Sequence, residues 1–237
     1  MIPLATPDLS GNEAAYLQQC IESTFVSTVG PFVNRFENLV AEASGTRHAI
    51  ATSSGTTGLH LALVALGVAH DDLVLLPSFT FIASANAIAH CGAMPWLIDI
   101  DPATWTMDPD LMASALEGQT ERTGRGLVHR ATGRRVAAIM PVHTLGLPAE
   151  MDRITEIAHR YSLPVVADSA AALGATDKGR PVGALGAALS VFSFNGNKTV
   201  TSGGGGAVAG DDEALLALAR HLSTTARSGT NYLHDRI

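Results

Sequence analysis

Short apolar runs alternate with longer stretches of helical spacing along almost the whole chain. Ser10-Gly-Asn-Glu13 has the form of a capping box and predicts a short helix through NEAAYLQQCIES. Pro31 opens a second helix, PFVNRFENLVAEAS, which Gly45 stops. From there strands and helices take turns. The pattern predicts strands at 48–52 (HAIAT), 73–77 (LVLLP), 94–100 (MPWLIDI), 136–142 (VAAIMPV), 164–168 (PVVAD), 189–194 (LSVFSF) and 206–210 (GAVAG). It predicts helices at 56–66, 80–90, 109–116, 149–161 and 211–224, the last opened by acidic residues that suit its dipole. Strands this short and this continuously apolar, with helices between them, imply a mostly parallel sheet covered by helices on both faces: an α/β fold. One segment breaks the pattern. EGQTERTGRGLVHRATGRR (117–135) holds five of the 13 arginines and reads as a solvated surface excursion or as a lid for an anionic ligand.

Composition narrows the function classes. The 237 residues are 46% hydrophobic and 16% charged, enough to bury a substantial core. Fifteen Lys+Arg against 22 Asp+Glu leave a formal charge of −7, which argues against nonspecific binding to nucleic acid or to an anionic membrane. No apolar run approaches the roughly 18 residues of a spanning helix, and MIPLATPDLSGNE lacks the cationic and apolar regions of a secretion signal, so a cytoplasmic location is expected. Two cysteines, Cys20 and Cys91, are too few for a disulfide framework or a zinc site, and no metal is expected. Lysine is scarce. Lys178 lies in the polar turn TDKGRPVG, and Lys198 in the Gly-rich loop of SFNGNKTVTSGGGG, so Lys198 is the candidate amine nucleophile.

Ligands of open α/β sheets collect beyond the carboxyl ends of the strands, and four places there carry suitable residues. SSGTTG (53–58) joins a strand to a helix N-terminus, where Gly55 and Thr56 suit a phosphate, or simply make a Gly/Ser turn. It is neither a Walker A loop nor GxGxxG. Asp168 ends PVVAD; it reads as an N-cap for SAAALGA or as the partner of a protonated ring nitrogen. Ser193 and Lys198 share the strand and loop of SFNGNK, where Gly196 and Gly203 to Gly206 give backbone freedom. Phe79 and Phe81, in SFTFIASANA, could cover a flat cofactor or pack in the core, and His143 in PVHTLG could reach the same crevice. An anion cradle, an aromatic wall, a buried carboxylate and a reactive amine together match the needs of pyridoxal 5′-phosphate.

PDLSGNE, FVSTVGPFVNRFE, SSGTTGLHLAL, PSFTFIASANAI, PVHTLGLPAEMD, VVADSAAALGA and, most specifically, SFNGNKTVTSGGGG resemble the large domain of the DegT/DnrJ/StrS-type sugar aminotransferases. The resemblance covers nearly all of the chain and implies a fold type I, pyridoxal-phosphate-dependent large domain over 1–237, with the family's small C-terminal domain absent or truncated. It looks closest to the branch acting on UDP-linked 4-keto-6-deoxy amino sugars of the legionaminic-acid type. It implies that Lys198 forms the imine with the cofactor and later shuttles the proton. By the same resemblance Asp168 meets the pyridine nitrogen, Phe81 stacks on the ring, and Gly55, Thr56, Thr57 and Ser193 hold the phosphate. The implied reaction is ping-pong transamination from glutamate to a nucleotide-linked keto-sugar, in a homodimer whose subunits share each site.

The sequence departs from the family pattern at Ala171, where a Gln or Glu usually stands three residues after the aspartate, near the cofactor's phenolic oxygen. The chain also stops before the segment that the family uses to complete a partner's site. Two other readings follow: a sugar dehydratase of the same fold, which would carry histidine in place of Lys198, and a folded remnant without a competent site.

Overall fold

The computed structural model describes residues 2–3, 5–228 and 233–236. In chain order it contains α1 (Glu13–Ser23), α2 (Pro31–Ser44), β1 (His48–Thr52), α3 (Gly55–Ala65), β2 (Leu73–Pro77), α4 (Ile82–His90), β3 (Met94–Ile98) and α5 (Pro109–Gln119). There follow β4 (Thr120–Thr123), β5 (Gly126–His129), β6 (Val136–Ile139), α6 (Met151–Tyr161), β7 (Val166–Asp168), β8 (Thr176–Asp177) and β9 (Arg180–Pro181). β10 (Leu189–Ser193), β11 (Gly206–Gly210) and α7 (Glu213–Ser223) complete the main body.

Two ladders, β1-β11-β10-β7 and β3-β2-β6, meet through parallel bridges at Ile139–Val165 and Val142–Asp168. The result is one sheet in the order β1-β11-β10-β7-β6-β2-β3, in which β11 alone runs against the rest. Consecutive strand residues face opposite layers, as the pleat requires. Val74 and Leu76 pack with Leu59 and Leu63 of α3, Ile88 of α4 and Leu216 of α7. Leu75 packs on the other face with Val40 of α2, Met112 and Leu116 of α5 and Ile154 of α6. Burial on both faces explains the unbroken apolar runs, and the mostly parallel α/β expectation holds. α3 lies close to the sheet because position 58 is glycine: a Cβ there would stand 2.8 Å from Cγ1 of Val191.

The arginine-rich segment is a β-hairpin, β4–β5, that follows directly from α5. Most of its guanidinium groups are held by the body of the protein. Arg122 donates to the Arg160 carbonyl in the last turn of α6 (3.0 Å), and Arg130 to the Gly118 carbonyl near the end of α5 (3.0 Å). Both cap helix carbonyls that lack an intrahelical donor. Arg125 donates to Gly133 O within the hairpin, Arg134 pairs with Asp71, and Arg135 grips Asp72. These contacts pin the segment to the surface and favour the reading as a surface excursion.

Candidate active site

Every strand of the seven-stranded sheet but β11 points its carboxyl end at one rim, and the residues singled out at strand ends gather there. At the start of α3, Ser54 caps the helix: its Oγ accepts from Thr57 N (3.1 Å), and its own amide donates to Thr57 Oγ1 (3.0 Å). Thr57 is therefore engaged as half of a capping box. The amides of Gly55 and Thr56 belong neither to the cap nor to the helical ladder, and they sit at the positive end of the helix dipole. Ser193, at the end of β10, lies against this turn; a Cβ on Gly55 would come within 2.9 Å of the Ser193 Cβ.

The glycine run after Lys198 has two physical reasons. Gly203 and Gly205 adopt φ of +80° and +97°, a region costly for a residue with a Cβ. Gly206 touches the Ser54–Gly55 peptide so closely that a Cβ would fall 2.5 Å from Ser54 C. The loop carrying Lys198 is thereby laid against the α3 N-terminus. Lys198 itself is half-buried, and its amide donates to Asn195 O (3.0 Å) in a turn just after β10.

Asp168 is the buried carboxylate of the site, 5% exposed at the end of β7. Oδ1 accepts from Ala170 N (3.1 Å), so the local capping role exists, yet SAAALGA forms turns and no helix. Oδ2 accepts from Ser84 Oγ of α4 (2.7 Å). Burial pushes the carboxyl above its usual range, while the Ser84 and Ala170 hydrogen bonds and the positive charge of Lys198 pull the other way. No cation contacts Asp168 among the described residues.

Phe79 and Phe81 are surface residues, 45% and 74% exposed, so core packing does not explain them. Phe81 is the N-cap of α4 in extended conformation (φ −67°, ψ 142°), which is why that helix starts at Ile82 rather than at residue 80. Phe79 meets Trp105 edge-to-face with 5.4 Å between centroids. His143 is buried and neutral: burial pushes it down to about 4, and Nδ1 accepts from Ala149 N (3.0 Å), leaving the proton on Nε2. Its amide donates to Asp168 O (3.0 Å), making it a strut between the ends of β6 and β7. Ala171 presents its carbonyl to Gly146, where a Cβ would stand at 2.9 Å. Ser84 escaped the sequence reading. A lone buried hydroxyl on the sheet-facing side of the apolar helix IASANAIAH was the signal available.

The DegT/DnrJ/EryC1/StrS aminotransferase family profile matches residues 7–237. The chain belongs to this family. A GDP-perosamine synthase of Caulobacter vibrioides is 42% identical over 221 residues, which are 93% of this chain and 55% of that protein. The crystal structure of 3-amino-5-hydroxybenzoic acid (AHBA) synthase superposes with a TM-score of 0.86 at 33% identity, over 100% of this chain and 58% of that one. NtdA of Bacillus subtilis, solved with the bound cofactor PMP, gives 0.76 at 30% identity over 95% and 49%. The family chain described here thus spans about half to three-fifths of the length of the proteins it matches. Among the described residues no helix is long and apolar enough to cross a membrane.

Proposed function

We propose that this chain binds pyridoxal 5′-phosphate and provides the cofactor half of a nucleotide-sugar aminotransferase, transferring an amino group from glutamate to a 4-keto-6-deoxy nucleotide sugar. The observation that carries the reading is the convergence of a half-buried amine, Lys198, with a buried carboxylate that has no cation in contact, Asp168. A pyridine ring protonated at nitrogen would supply the missing cation, and a phosphate suits the first-turn amides of Gly55 and Thr56 beside Ser193. Phe81, exposed at the head of α4, offers the face for the ring.

When bound, the cofactor supplies an electron sink that lets an α-proton leave a substrate carbon. Lys198 Nζ would hold the cofactor and would then move that proton at the substrate carbon. Asp168 would keep the ring nitrogen protonated. The Gly55 and Thr56 amides with Ser193 orient the phosphate, and Thr57 acts one step back by holding the cap that aims those amides. Lys198 disfavours the dehydratase reading, in which histidine would stand at this position.

The GDP-perosamine synthase relative makes a GDP-linked keto-sugar the first substrate to try, ahead of UDP- and dTDP-linked ones. A homodimer, a C-terminal segment completing the site and a cytoplasmic location belong to the same proposal. The test is an absorption titration with pyridoxal phosphate: a visible imine band should form, bleach on adding glutamate and return on adding the keto-sugar. Borohydride trapping should tag Lys198. A protein that stays colourless supports the remnant reading instead.

A further inference from the structure

Asp168 is joined to a second residue beyond Ser84. Ser84 is fully buried, its Oγ lies 2.7 Å from Asp168 Oδ2, and 2.7 Å on its other side stands Thr80 Oγ1. Each hydroxyl has one proton, so the direction of the chain can be worked out. An ionised Asp168 only accepts; Ser84 must donate to it, and Thr80 then donates to Ser84. A protonated or amide group at 168 donates instead. Ser84 then accepts, passes its own proton towards Thr80, and Thr80 turns its proton to the Phe81 carbonyl, 3.2 Å away. Every member has a partner in both directions.

We propose that Thr80 and Ser84 are positioning residues for the cofactor: a reversible hydrogen-bond relay that keeps Asp168 satisfied in either protonation state and ties it to the turn bearing Phe81. The part concerning the cofactor rests on the function proposed above. The relay couples the acid at the ring's edge to the aromatic residue at its face, because Thr80 and Phe81 are adjacent at the start of α4. The other groups around Asp168 leave this role open. Ala170 N occupies Oδ1, His143 is neutral with Nδ1 turned to Ala149, and Lys198 acts on Asp168 through its charge without a hydrogen bond.

The test uses Ser84→Ala, Ser84→Thr and Thr80→Val, read on the apoprotein and on the holoenzyme. Ser84→Ala removes a donor to the ionised carboxylate and an acceptor from the neutral one, and the bond to the charged form is the stronger of the two. Its melting temperature should fall below the wild type increasingly as pH rises from about 4 to 8. Its affinity for pyridoxal phosphate should weaken roughly 10-fold or more, the effect of losing a hydrogen bond to a buried charge. Ser84→Thr should restore both. Thr80→Val leaves Ser84 with no acceptor when Asp168 is neutral, so its loss of stability should be larger at acid pH than at neutral pH. A Ser84→Ala deficit that does not change with pH, together with unchanged cofactor affinity, would overturn the relay and leave Ser84 as a packing residue. The apoprotein arm is independent of the aminotransferase reading: if the wild type binds no cofactor, that reading fails while the pH dependence still decides the relay.

Discussion

Three buried carboxylates show how this molecule separates architecture from chemistry. Glu37, on α2, takes both nitrogens of Arg220 (3.1 and 2.7 Å) and the Ala51 amide of edge strand β1 (2.9 Å). Asp72, at the start of β2, is gripped by Arg135 and accepts from Ala69 N (2.8 Å). Each is fully answered by an arginine fork and a backbone donor, the arrangement that makes a buried charge tolerable. Asp168 differs. It has one hydroxyl, one amide and an ammonium without a hydrogen bond, and burial pushes its carboxyl up against all three. The first two carboxylates hold the ends of strands in place, and Glu37 also blocks the outer edge of β1 against pairing with another chain. The third has no cation in contact among the described residues, which is what the proposed cofactor would answer.

The sharpest break of this contrast is at Lys198 and Asp168. Lys198→Ala should abolish the imine band and lower turnover by about 10³-fold or more, since it removes both the attachment and the proton carrier. Asp168→Asn should lower turnover by roughly 10²–10³-fold, as loss of a preorganised charge does. On the apoprotein the same variant should act in the opposite sense. The folded carboxyl of Asp168 titrates above its unfolded value, so ionising it costs stability as pH rises through the raised pKa. An amide does not ionise, and the Ser84 relay can accept from it. Apo Asp168→Asn should therefore melt higher than the wild type at neutral pH, with the gap closing below the ordinary carboxylate range. Glu37→Gln should do the reverse and destabilise by about 1–2 kcal/mol by urea unfolding, because it weakens a fork that is already complete. The half-exposed Arg220 keeps part of its hydration and holds the figure low.

The sequence showed the framework and the family clearly because both are written in local signals. Apolar runs such as LVLLP and GAVAG, the Ser54–Thr57 cap region and the glycine run each act within a few residues. What it could not show were partnerships set by the sheet order. Glu37 and Arg220 are 183 residues apart, and Ser84 and Asp168 are 84 apart. Nothing at either position alone marks the pair. The antiparallel sense of β11 was equally hidden, since it comes from the short return through Gly203–Gly206 rather than from any property of GAVAG. Thr57 shows a finer point: the family resemblance implied a phosphate contact, and the fold adds hydroxyl bonds to Ser53 and Ser54 that no single position announces.

Between these extremes stands Gly206, where fold and site share one contact. Gly206→Ala places a methyl against the Ser54–Gly55 peptide, which is backbone and cannot step aside. A loss of about 1–3 kcal/mol in thermal or urea unfolding is expected from such overpacking. Cofactor affinity should fall with it, because the displaced turn carries the amides assigned to the phosphate. Gly196, with nothing within 4 Å of its would-be Cβ and no unusual φ, is the control: Gly196→Ala should leave stability within about 0.5 kcal/mol.

The smallest effect is expected where the sequence looked most electrostatic. The β4–β5 hairpin is dense in arginine, yet Arg122 and Arg130 each point a guanidinium at a helix-end carbonyl. Exposed contacts of this kind contribute little, so Arg122→Ala should cost no more than about 0.5–1 kcal/mol. Its cofactor titration and its Michaelis constant for a nucleotide sugar should match the wild type. An anion-binding lid would behave differently, losing substrate affinity with a strong salt dependence while stability stayed intact. Equal kinetics at low and high salt for Arg122→Ala and the wild type would place the hairpin with Glu37 and Asp72, among the parts that hold the scaffold. A salt-sensitive rise in the Michaelis constant would move it to the side of Asp168.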